Sequence, residues 1–275
     1  MLKFNLTKFG SELMDLLSEQ YLNSNNYLAR IEINRRFRTN PQPWTRWIFD
    51  QIKFPENSKV LELGCGNGIF WKTNHDRIMD DSQIILSDFS EGMLNDARTV
   101  LGDISKGFEY EVFDAQQIPY PNEYFDVIIA NLMLYHVPNR KKAFSEIHRV
   151  LRSGGVFYAT TFGKSNMKEI NEMVSSYDSR LDNSLEFFAM EFGLENGKSQ
   201  LKKYFDDVKM KRYHDSLIIT EADPIVEYVL SFGKNKEILV NENLRSFKEY
   251  INEILDNNGK IMVTKDTGIF IAKKN

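Results

Sequence analysis

The stretch VLELGCGNG, which runs from Val60 to Gly68, decides the fold of this chain. Apolar residues typical of a buried strand lead into three alternate glycines, Gly64, Gly66 and Gly68, and then into a segment of helical period. Glycine has no Cβ, so it accepts unusual dihedrals and lets a ligand approach the main chain beside unpaired N–H groups at a helix start. We expect a strand, a tight turn and a helix, with a nucleoside-like ligand at the turn. A tight turn without a ligand is the alternative.

Short β-rich runs recur downstream of this stretch and alternate with segments of helical period. The five runs are Val60–Leu63, Ile84–Leu86, Tyr110–Phe113, Val127–Ala130 and Val156–Ala159. Most are continuously apolar, which is typical of parallel strands covered on both faces by crossover helices. The segment Arg140–Leu151 has the apolar face of such a helix, and Gly154-Gly155 is expected to stop it. The middle of the chain therefore predicts an α/β fold.

The flanking regions are predicted to be mainly helical. Residues 1–55 form an N-terminal helical cap, residues 56–163 the core, and residues 164–275 a lid with the final strands of the same sheet. In this last part we expect helices near 167–176, 195–205, 223–232 and 243–257, a strand over 208–213, and a helix terminator at Gly259. Residues 265–268 are expected to turn a hairpin within the closing segment 260–274.

Composition narrows the class of protein. The chain has 275 residues, 35 basic and 39 acidic side chains, and a net charge of -4, which gives no general attraction for nucleic acid. Its single cysteine, Cys65, cannot form an internal disulfide. The first eight residues lack the apolar region of a signal peptide, and no run approaches eighteen apolar residues. We expect a cytoplasmic protein without a membrane segment.

The spacing of the glycines separates two classes of ligand. A dinucleotide fingerprint places a third small residue where this chain has Ile69, which argues against NAD. The motif E-L-G-C-G-N-G instead resembles motif I of the class I S-adenosylmethionine-dependent methyltransferases, and the resemblance extends from Lys59 to about Gly163. It implies S-adenosyl-L-methionine as cofactor. It also implies a doubly wound, mostly parallel seven-stranded sheet with helices on both faces and an added helical lid.

The resemblance implies a set of cofactor-binding residues. Asp88 follows Gly68 by 20 residues, where a carboxylate would accept both ribose hydroxyls; its alternative role is a helix N-cap. Phe89 and Met93 would flank the adenine. Asp114 and Ala115 would recognise the adenine edge through the carboxylate and a main-chain N–H, the alternative being a capped turn.

Motif I itself and the fourth strand complete this set. Cofactor contacts are implied for Glu62, Gly64, Cys65, Gly66, Gly68 and Asn131. His136 follows the fourth strand and is a candidate general base, because an imidazole titrates near neutral pH. Packing or backbone bonding is its alternative role, and Tyr135 is expected to be a wall of the site.

Other functional interpretations are weaker. The segment Asn40-Pro41-Gln42-Pro43 departs from the N-P-P-F/Y motif of nucleic-acid methyltransferases, so that match is rejected, whereas Arg38 or a neighbour could pair with the cofactor carboxylate. Methyl transfer to a small organic molecule, at an O, N, S or C nucleophile, is preferred. An NAD-linked oxidoreductase, a protein or RNA methyltransferase and a non-catalytic binding module remain alternatives, and the oligomeric state is open.

Several residues with binding chemistry are expected to be structural. The histidines His75, His148 and His214 are widely separated, so no metal site is predicted. Four aromatic residues are expected to pack in the core or lid, and these are Trp71, Phe187, Phe188 and Phe192.

Overall fold

The computed structural model describes residues 25–79, 81–181, 184–232 and 235–275. Seven strands form one sheet in the order β3-β2-β1-β4-β5-β7-β6. Their bounds are β1 Lys59–Leu63, β2 Gln83–Asp88, β3 Phe108–Val112, β4 Phe125–Asn131, β5 Leu151–Phe162, β6 Asp207–Ile219 and β7 Ile261–Lys273. All five runs predicted from the sequence are strands.

Strands β1 to β5 run parallel to one another, whereas β7 runs in the opposite direction. Val60 of β1 pairs with Ile84 of β2 on one side and Val127 of β4 on the other. Strand β7 runs antiparallel between β5 and β6. Because two parallel strands must be joined by a crossover connection, which is usually a helix, helices cover both faces of this sheet. The predicted doubly wound, mostly parallel seven-stranded α/β fold is confirmed.

Eleven α-helices lie in the described part of the chain, several of them only one turn long. They are α1 Asn25–Phe37, α2 Trp44–Gln51, α3 Ile69–Thr73, α4 Glu91–Leu101, α5 Arg140–Val150, α6 Lys168–Tyr177, α7 Ser184–Phe192, α8 Gly197–Leu201, α9 Ala222–Leu230, α10 Asn235–Ile238 and α11 Asn241–Asn258. Within the described residues, none combines the length and the apolar character required to cross a bilayer.

Two apolar clusters cover the opposite faces of the sheet. Helix α5 contributes Phe144 and Ile147 to one, and α2 and α3 contribute Ile48 and Trp71 to the other. Phe192 is fully buried in the first cluster. Trp71 and Phe192 therefore pack in the core as predicted, and the side chain of Phe187 lies outside the described residues.

A third cluster is built on an extension of the sheet. The last pair between β5 and β7 joins Phe162 to Thr267, so residues 261–266 of β7 pair only with residues 214–219 of β6. We call this two-stranded extension the ribbon. Its apolar face packs against α1, α6, α9 and α11 through residues that include Ile33, Ile170 and Phe247. We call this assembly the lid.

The predicted N-terminal cap is divided between two clusters. Residues 1–24 lie outside the described residues. Helix α1 packs in the lid through Ile33 and Phe37, whereas α2 packs under the sheet through Ile48 and Phe49. The loop between them pairs with the outer edge of β6, where Arg38 forms a bridge with Leu217.

The hairpin predicted at residues 265–268 is wrong. Strand β7 continues through these residues without a turn. A Cβ added at Gly268 would lie 2.5 Å from the carbonyl oxygen of Lys211 on β6. The glycine at this position therefore permits a close approach of two strands, and the sequence pattern does not distinguish this role from a turn.

A second correction concerns the end of α5. The helix ends at Val150 and β5 begins at Leu151, so Gly154 and Gly155 lie inside the strand and do not stop the helix. Downstream, the expected terminator is confirmed, since Gly259 takes φ 72° after α11 and its N–H donates to the Leu255 carbonyl.

Candidate functional site

The glycine loop joins β1 to α3 at the carboxyl edge of the sheet. Gly64, Gly66 and Gly68 have φ values of 63°, 56° and 72°, a region that side chains other than glycine rarely adopt. A Cβ at Gly64 would lie 3.0 Å from the side chain of Met133, whereas a Cβ at Gly66 would meet no atom within 4 Å. Gly66 therefore presents bare main chain to an open space.

The amides of this loop are largely bonded within the protein. The N–H groups of Cys65 and Gly68 donate to the carbonyls of Ser87 and Cys65, and that of Gly66 donates to Asp88 Oδ2 at 3.0 Å. A dinucleotide pyrophosphate needs free N–H donors at this turn. The loop favours a ligand that lies against the chain without a phosphate, in agreement with the glycine spacing.

Asp88 ends β2 directly beside the loop. Its Oδ2 accepts from Gly66 N–H and its Oδ1 accepts from Ser90 N–H at 2.9 Å, and burial raises the pKa of this carboxyl despite these bonds. The N-cap of α4 is Ser90, whose hydroxyl accepts from Met93 N–H. Asp88 is therefore not the cap, and each of its oxygens retains a lone pair for a ligand hydroxyl.

An exposed apolar surface adjoins Asp88. The ring of Phe89 is 58% exposed, and Val112, which pairs with Asp88, is 53% exposed. Met93, on the first turn of α4, is only 2% exposed. Phe89 is thus available to stack on a planar ring, whereas Met93 is buried in the protein.

The turn after β3 is already bonded within itself. Asp114 Oδ1 accepts from the main-chain N–H of Gln116, and its Oδ2 accepts from the Gln116 side-chain amide at 2.7 Å. Ala115 is 6% exposed. The structure shows the capped turn, and an adenine amino group would share or replace the side-chain bond of Gln116.

Glu62 and Asn131 form a buried network at the ends of the central strands. Glu62 accepts from Trp71 Nε1 at 2.6 Å and from Asn131 Nδ2 at 2.7 Å, while Asn131 Oδ1 accepts from the Thr160 hydroxyl. Burial raises the pKa of Glu62 to about 7. These contacts are internal, so the network fixes the glycine loop and the loop after β4 relative to each other. The hydrogen bond from Trp71 to Glu62 was not predicted from the sequence, because the two residues lie on different structural elements.

His136 lies on a short turn after β4. Its ring contacts Tyr135 and Phe188 at centroid distances of 4.4 and 4.7 Å, and the Tyr135 ring stacks on Phe188 of α7. Burial, aided by the charge of Arg30, lowers the pKa of His136 to about 3. The imidazole is therefore neutral at physiological pH, and Phe188 packs as expected, whereas the role of Tyr135 as a wall of the site stays a prediction.

The Arg35–Trp44 segment, whose role the sequence left open, is fastened to β6. The main-chain N–H groups of Thr39 and Asn40 donate to Asp215 Oδ1, and Arg38 donates to the Asn40 carbonyl. We call this segment the strap, and these hydrogen bonds give it a structural role in the lid. Among the residues described, no group of three or more His, Cys, Asp or Glu side chains is arranged to hold a metal ion.

Comparisons with known proteins extend this picture. Residues 61–159 match the family model described as a methyltransferase domain. The ubiquinone/menaquinone biosynthesis C-methyltransferase UbiE of Coxiella burnetii is 26% identical over 140 residues, which cover 50% of this chain and 56% of that protein. The UbiE protein of Vibrio campbellii is 30% identical over 140 residues, with 50% and 54% covered. The chain thus spans about half the length of the curated relatives it matches.

Solved structures share the fold. The YcgJ protein of Bacillus subtilis has a TM-score of 0.55 at 16% identity, with 84% of this chain and 98% of that one covered. A phosphoethanolamine N-methyltransferase of Haemonchus contortus, crystallised with phosphomonomethylethanolamine and S-adenosylhomocysteine, has a TM-score of 0.57 at 19% identity, with 95% and 60% covered. Residues 61–159 thus match the methyltransferase-domain family model, and the chain shares the fold of these solved structures.

Proposed function

We propose that this protein transfers the methyl group of S-adenosyl-L-methionine to a small organic molecule. The observation that carries the proposal is the open space over Gly66, bordered by the carboxylate of Asp88. Bare main chain beside a fixed carboxylate suits a nucleoside whose ribose hydroxyls donate to that carboxylate. The same edge of the sheet carries the exposed ring of Phe89 for the adenine.

Each predicted cofactor residue has a proposed part in this site. Asp88 holds the ribose, Phe89 and Met93 form one wall of the adenine site, and Asp114 with Ala115 binds the adenine edge. The main chain of Gly64, Cys65, Gly66 and Gly68 lies against the ligand, and Glu62 with Asn131 keeps that main chain in place. The bound cofactor supplies an electrophilic methyl group, which an acceptor nucleophile displaces in line.

The protein's own contribution is chiefly positioning. Holding the acceptor in line with the methyl group and excluding water accounts for several kcal/mol of the barrier, on the order of 7 or more in favourable cases. We place the acceptor near His136, between the carboxyl ends of β4 and β5 and the lid. A base with a pKa of about 3 is weak at neutral pH, so His136 would contribute less as a general base than the positioning of the acceptor contributes.

A small-molecule acceptor is supported by the relatives and by the charge balance. The curated relatives are named as ubiquinone/menaquinone biosynthesis C-methyltransferases, and a solved neighbour as a phosphoethanolamine N-methyltransferase. The net charge of -4 gives no broad attraction for RNA or DNA. The acceptor atom is not specified by these observations. A cytoplasmic location without a membrane or nucleic-acid partner belongs to the same proposal.

Equilibrium titration tests the cofactor assignment. We expect S-adenosylmethionine to bind and NADH to bind much more weakly, and Asp88→Ala to weaken S-adenosylmethionine binding at least about 30-fold, because charge-assisted hydrogen bonds contribute on the order of 2 kcal/mol or more. Asp103→Ala, at an exposed carboxylate after α4, is the matched control. Preferential binding of NADH, or equal affinity of the two variants, would overturn the assignment.

A screen of candidate acceptors tests the reaction itself. Purified protein is incubated with S-adenosylmethionine and single metabolites from several nucleophile classes, including quinols, amines, thiols and carboxylic acids. Release of S-adenosylhomocysteine that depends on the added compound identifies the acceptor. Release only with protein or RNA substrates would replace the small-molecule proposal.

A further inference from the structure

The ribbon extends beyond the carboxyl end of β5, where the proposed function places the methyl acceptor. The last pair of β5 joins Phe162 to Thr267 of β7, and Tyr213 of β6 pairs with Thr267 from the other side. Directly paired residues lie on the same face of a sheet, and so do residues two positions apart on one strand. Lys265 therefore lies on the face of Phe162 and Thr267, one step beyond the end of β5.

This face of the ribbon is turned towards the lid and towards the turn that follows β4. Farther along the ribbon, Leu217 and Val263 pair with each other on the same face and belong to the lid cluster. At the other end, the ring of Phe162 contacts the ring of Tyr135 at a centroid distance of 4.9 Å. Since Tyr135 lies on the turn where we place the acceptor, this face borders the proposed acceptor site.

The side chain of Lys265 is directed to the β5 side of the ribbon. Its Nζ lies 3.7 Å from Met167 Sδ, and the N–H of Met167 donates to the carbonyl of Thr264. Met167 thus lies along the edge of β7 that faces away from β6, which is the edge that β5 occupies lower in the sheet. Lys265 Nζ therefore lies beyond the end of β5, on the side of the acceptor.

Two polar groups on this face are not used by the described part of the protein. Thr267 is 7% exposed, and its buried hydroxyl has no hydrogen-bond partner among the described residues. The amine of Lys265 has only the weak acceptor Met167 Sδ, and no described carboxylate lies within ion-pair distance of it. A buried hydroxyl without a partner costs free energy unless a ligand bonds to it. A hydroxyl and an amine are thus left for a ligand at the acceptor site.

The charged groups around Lys265 leave its amine able to exchange a proton. Asp215, its cross-strand neighbour, attracts the ammonium only at longer range and binds the strap. Glu169 of α6 uses both oxygens on the neighbouring residue of β7, and Asp266, on the opposite face, pairs with Arg212. Burial outweighs the attraction by Asp215 and lowers the pKa of Lys265 to about 8.

We propose that Lys265 and Thr267 bind the methyl acceptor, with the Thr267 hydroxyl bonded to its nucleophilic atom and the Lys265 amine as general base. This inference rests on the proposed function and narrows the acceptor to a nucleophile that carries a proton, such as a phenol, a thiol or an enol. An amine that titrates near the working pH is suited to remove such a proton, unlike the His136 imidazole.

The proton and the electron pairs balance in this step. The bond between the acceptor's nucleophilic atom and its hydrogen breaks, and the proton moves to the neutral amine of Lys265. The same atom forms a bond to the methyl group as the bond from methyl to sulfur breaks, and that electron pair stays on sulfur. The positive charge thus passes from the sulfonium to the Lys265 ammonium, which then releases its proton to water.

An NMR titration tests the base without an acceptor. Protein labelled with carbon-13 at the lysine Cε is titrated with pH, and the spectrum of Lys265→Met or Lys265→Arg identifies the Lys265 resonance. We expect its midpoint at about pH 8. A midpoint at the ordinary lysine value, about 10.4, would show that Lys265 is not the base.

Turnover of an acceptor found in the screen tests both residues. In the wild type, kcat should rise with pH and level off above about 8, where the amine is neutral. Lys265→Met should lower kcat about 100-fold or more and remove this ionisation. Lys265→Arg should not restore kcat, because a guanidinium stays protonated. Thr267→Val should lower kcat/KM at least about tenfold and keep the ionisation.

A stability measurement separates these roles from a structural one. Thr267→Val replaces a hydroxyl without a described partner by a methyl group of similar shape, so the melting temperature should not fall. A fall would assign the hydroxyl to the fold. Lys209→Met, at an exposed lysine of β6, is the matched control and should keep full turnover.

The outcomes also distinguish this inference from the proposed function. Wild-type kcat in Lys265→Met, recovery of kcat in Lys265→Arg, or an acceptor without a proton to lose would overturn the inference. Affinity for S-adenosylmethionine should be the same in all variants. A wild-type protein that does not bind S-adenosylmethionine would instead be a failure of the proposed function.

Discussion

The glycine-loop edge of the sheet and the lid differ in how far apart in sequence their contacts lie. At the loop, Gly66 bonds to Asp88, 22 residues away, across two adjacent strands. In the lid, Arg30 of α1 bonds to Ser231 after α9, 201 residues away. A site formed by neighbouring strands can be recognised as a sequence motif, whereas an assembly of helices that lie far apart in the sequence cannot. We therefore expect cofactor binding and lid packing to be separable by mutation.

The largest effect is expected from an unfolding experiment on the lid. Phe247 of α11 is fully buried in the lid cluster. Phe247→Ala removes a ring from a packed site and should lower the free energy of unfolding by about 3–5 kcal/mol. Chemical denaturation measures this loss. Cofactor affinity of the folded variant should remain unchanged, and a parallel loss of affinity would show that the two regions are coupled.

The free energy of unfolding is expected to depend on pH through Glu62, which lies beside the glycine loop. The pKa of Glu62 is raised from 4.5 to about 7 in the folded protein, so the folded state binds more protons between these values. Stability should therefore fall as pH rises from about 4.5 to 7, by about 3 kcal/mol, and level off above 7. Denaturation of wild type and Glu62→Gln across this range measures the difference. An identical pH dependence in the two proteins would contradict the assignment.

A substitution at Gly66 should prevent cofactor binding while the protein remains folded. Gly66→Val places a branched side chain in the open space over the loop, at a φ of 56° that disfavours it. We expect S-adenosylmethionine affinity to fall at least about 100-fold and stability to fall by about 1–3 kcal/mol. Calorimetry and thermal denaturation measure the two effects. Unchanged affinity would mean that no ligand lies over Gly66.

The smallest effect is expected at His136. A neutral imidazole with a pKa of about 3 is a weak base, so His136→Ala should lower turnover of an identified acceptor by less than about tenfold. The pH profile of kcat between pH 6 and 8 should keep its shape. A loss of about 100-fold or more, with the loss of one ionisation, would show instead that His136 accepts the proton.

Much of the core could be predicted because its signals are local. The five parallel strands follow from continuous apolar runs, and the places of Gly66 and Asp88 follow from the fixed geometry of a strand–turn–helix unit. The N-cap at Ser90 was not identified, since Asp88 offered the same side-chain chemistry two residues earlier. Residue-level roles in cofactor binding stay predictions until a ligand is observed.

The lid could be predicted only as helices, because its arrangement depends on contacts that a single sequence does not encode locally. The ribbon was not anticipated, since Gly268 resembles a turn residue and in fact lies between two strands. The hydrogen bond from Asn40 to Asp215 was likewise not predicted, because the two residues are 175 positions apart in the sequence. The network of Glu62, Trp71 and Asn131 joins a motif to a strand end in the same long-range manner.

A crystal structure with S-adenosylhomocysteine bound tests the central claim most directly. The account predicts that the adenosyl group lies over Gly66, with both ribose hydroxyls on the carboxylate of Asp88 and the adenine against Phe89. A ligand bound at another edge of the sheet, or a ribose that does not contact Asp88, would contradict it.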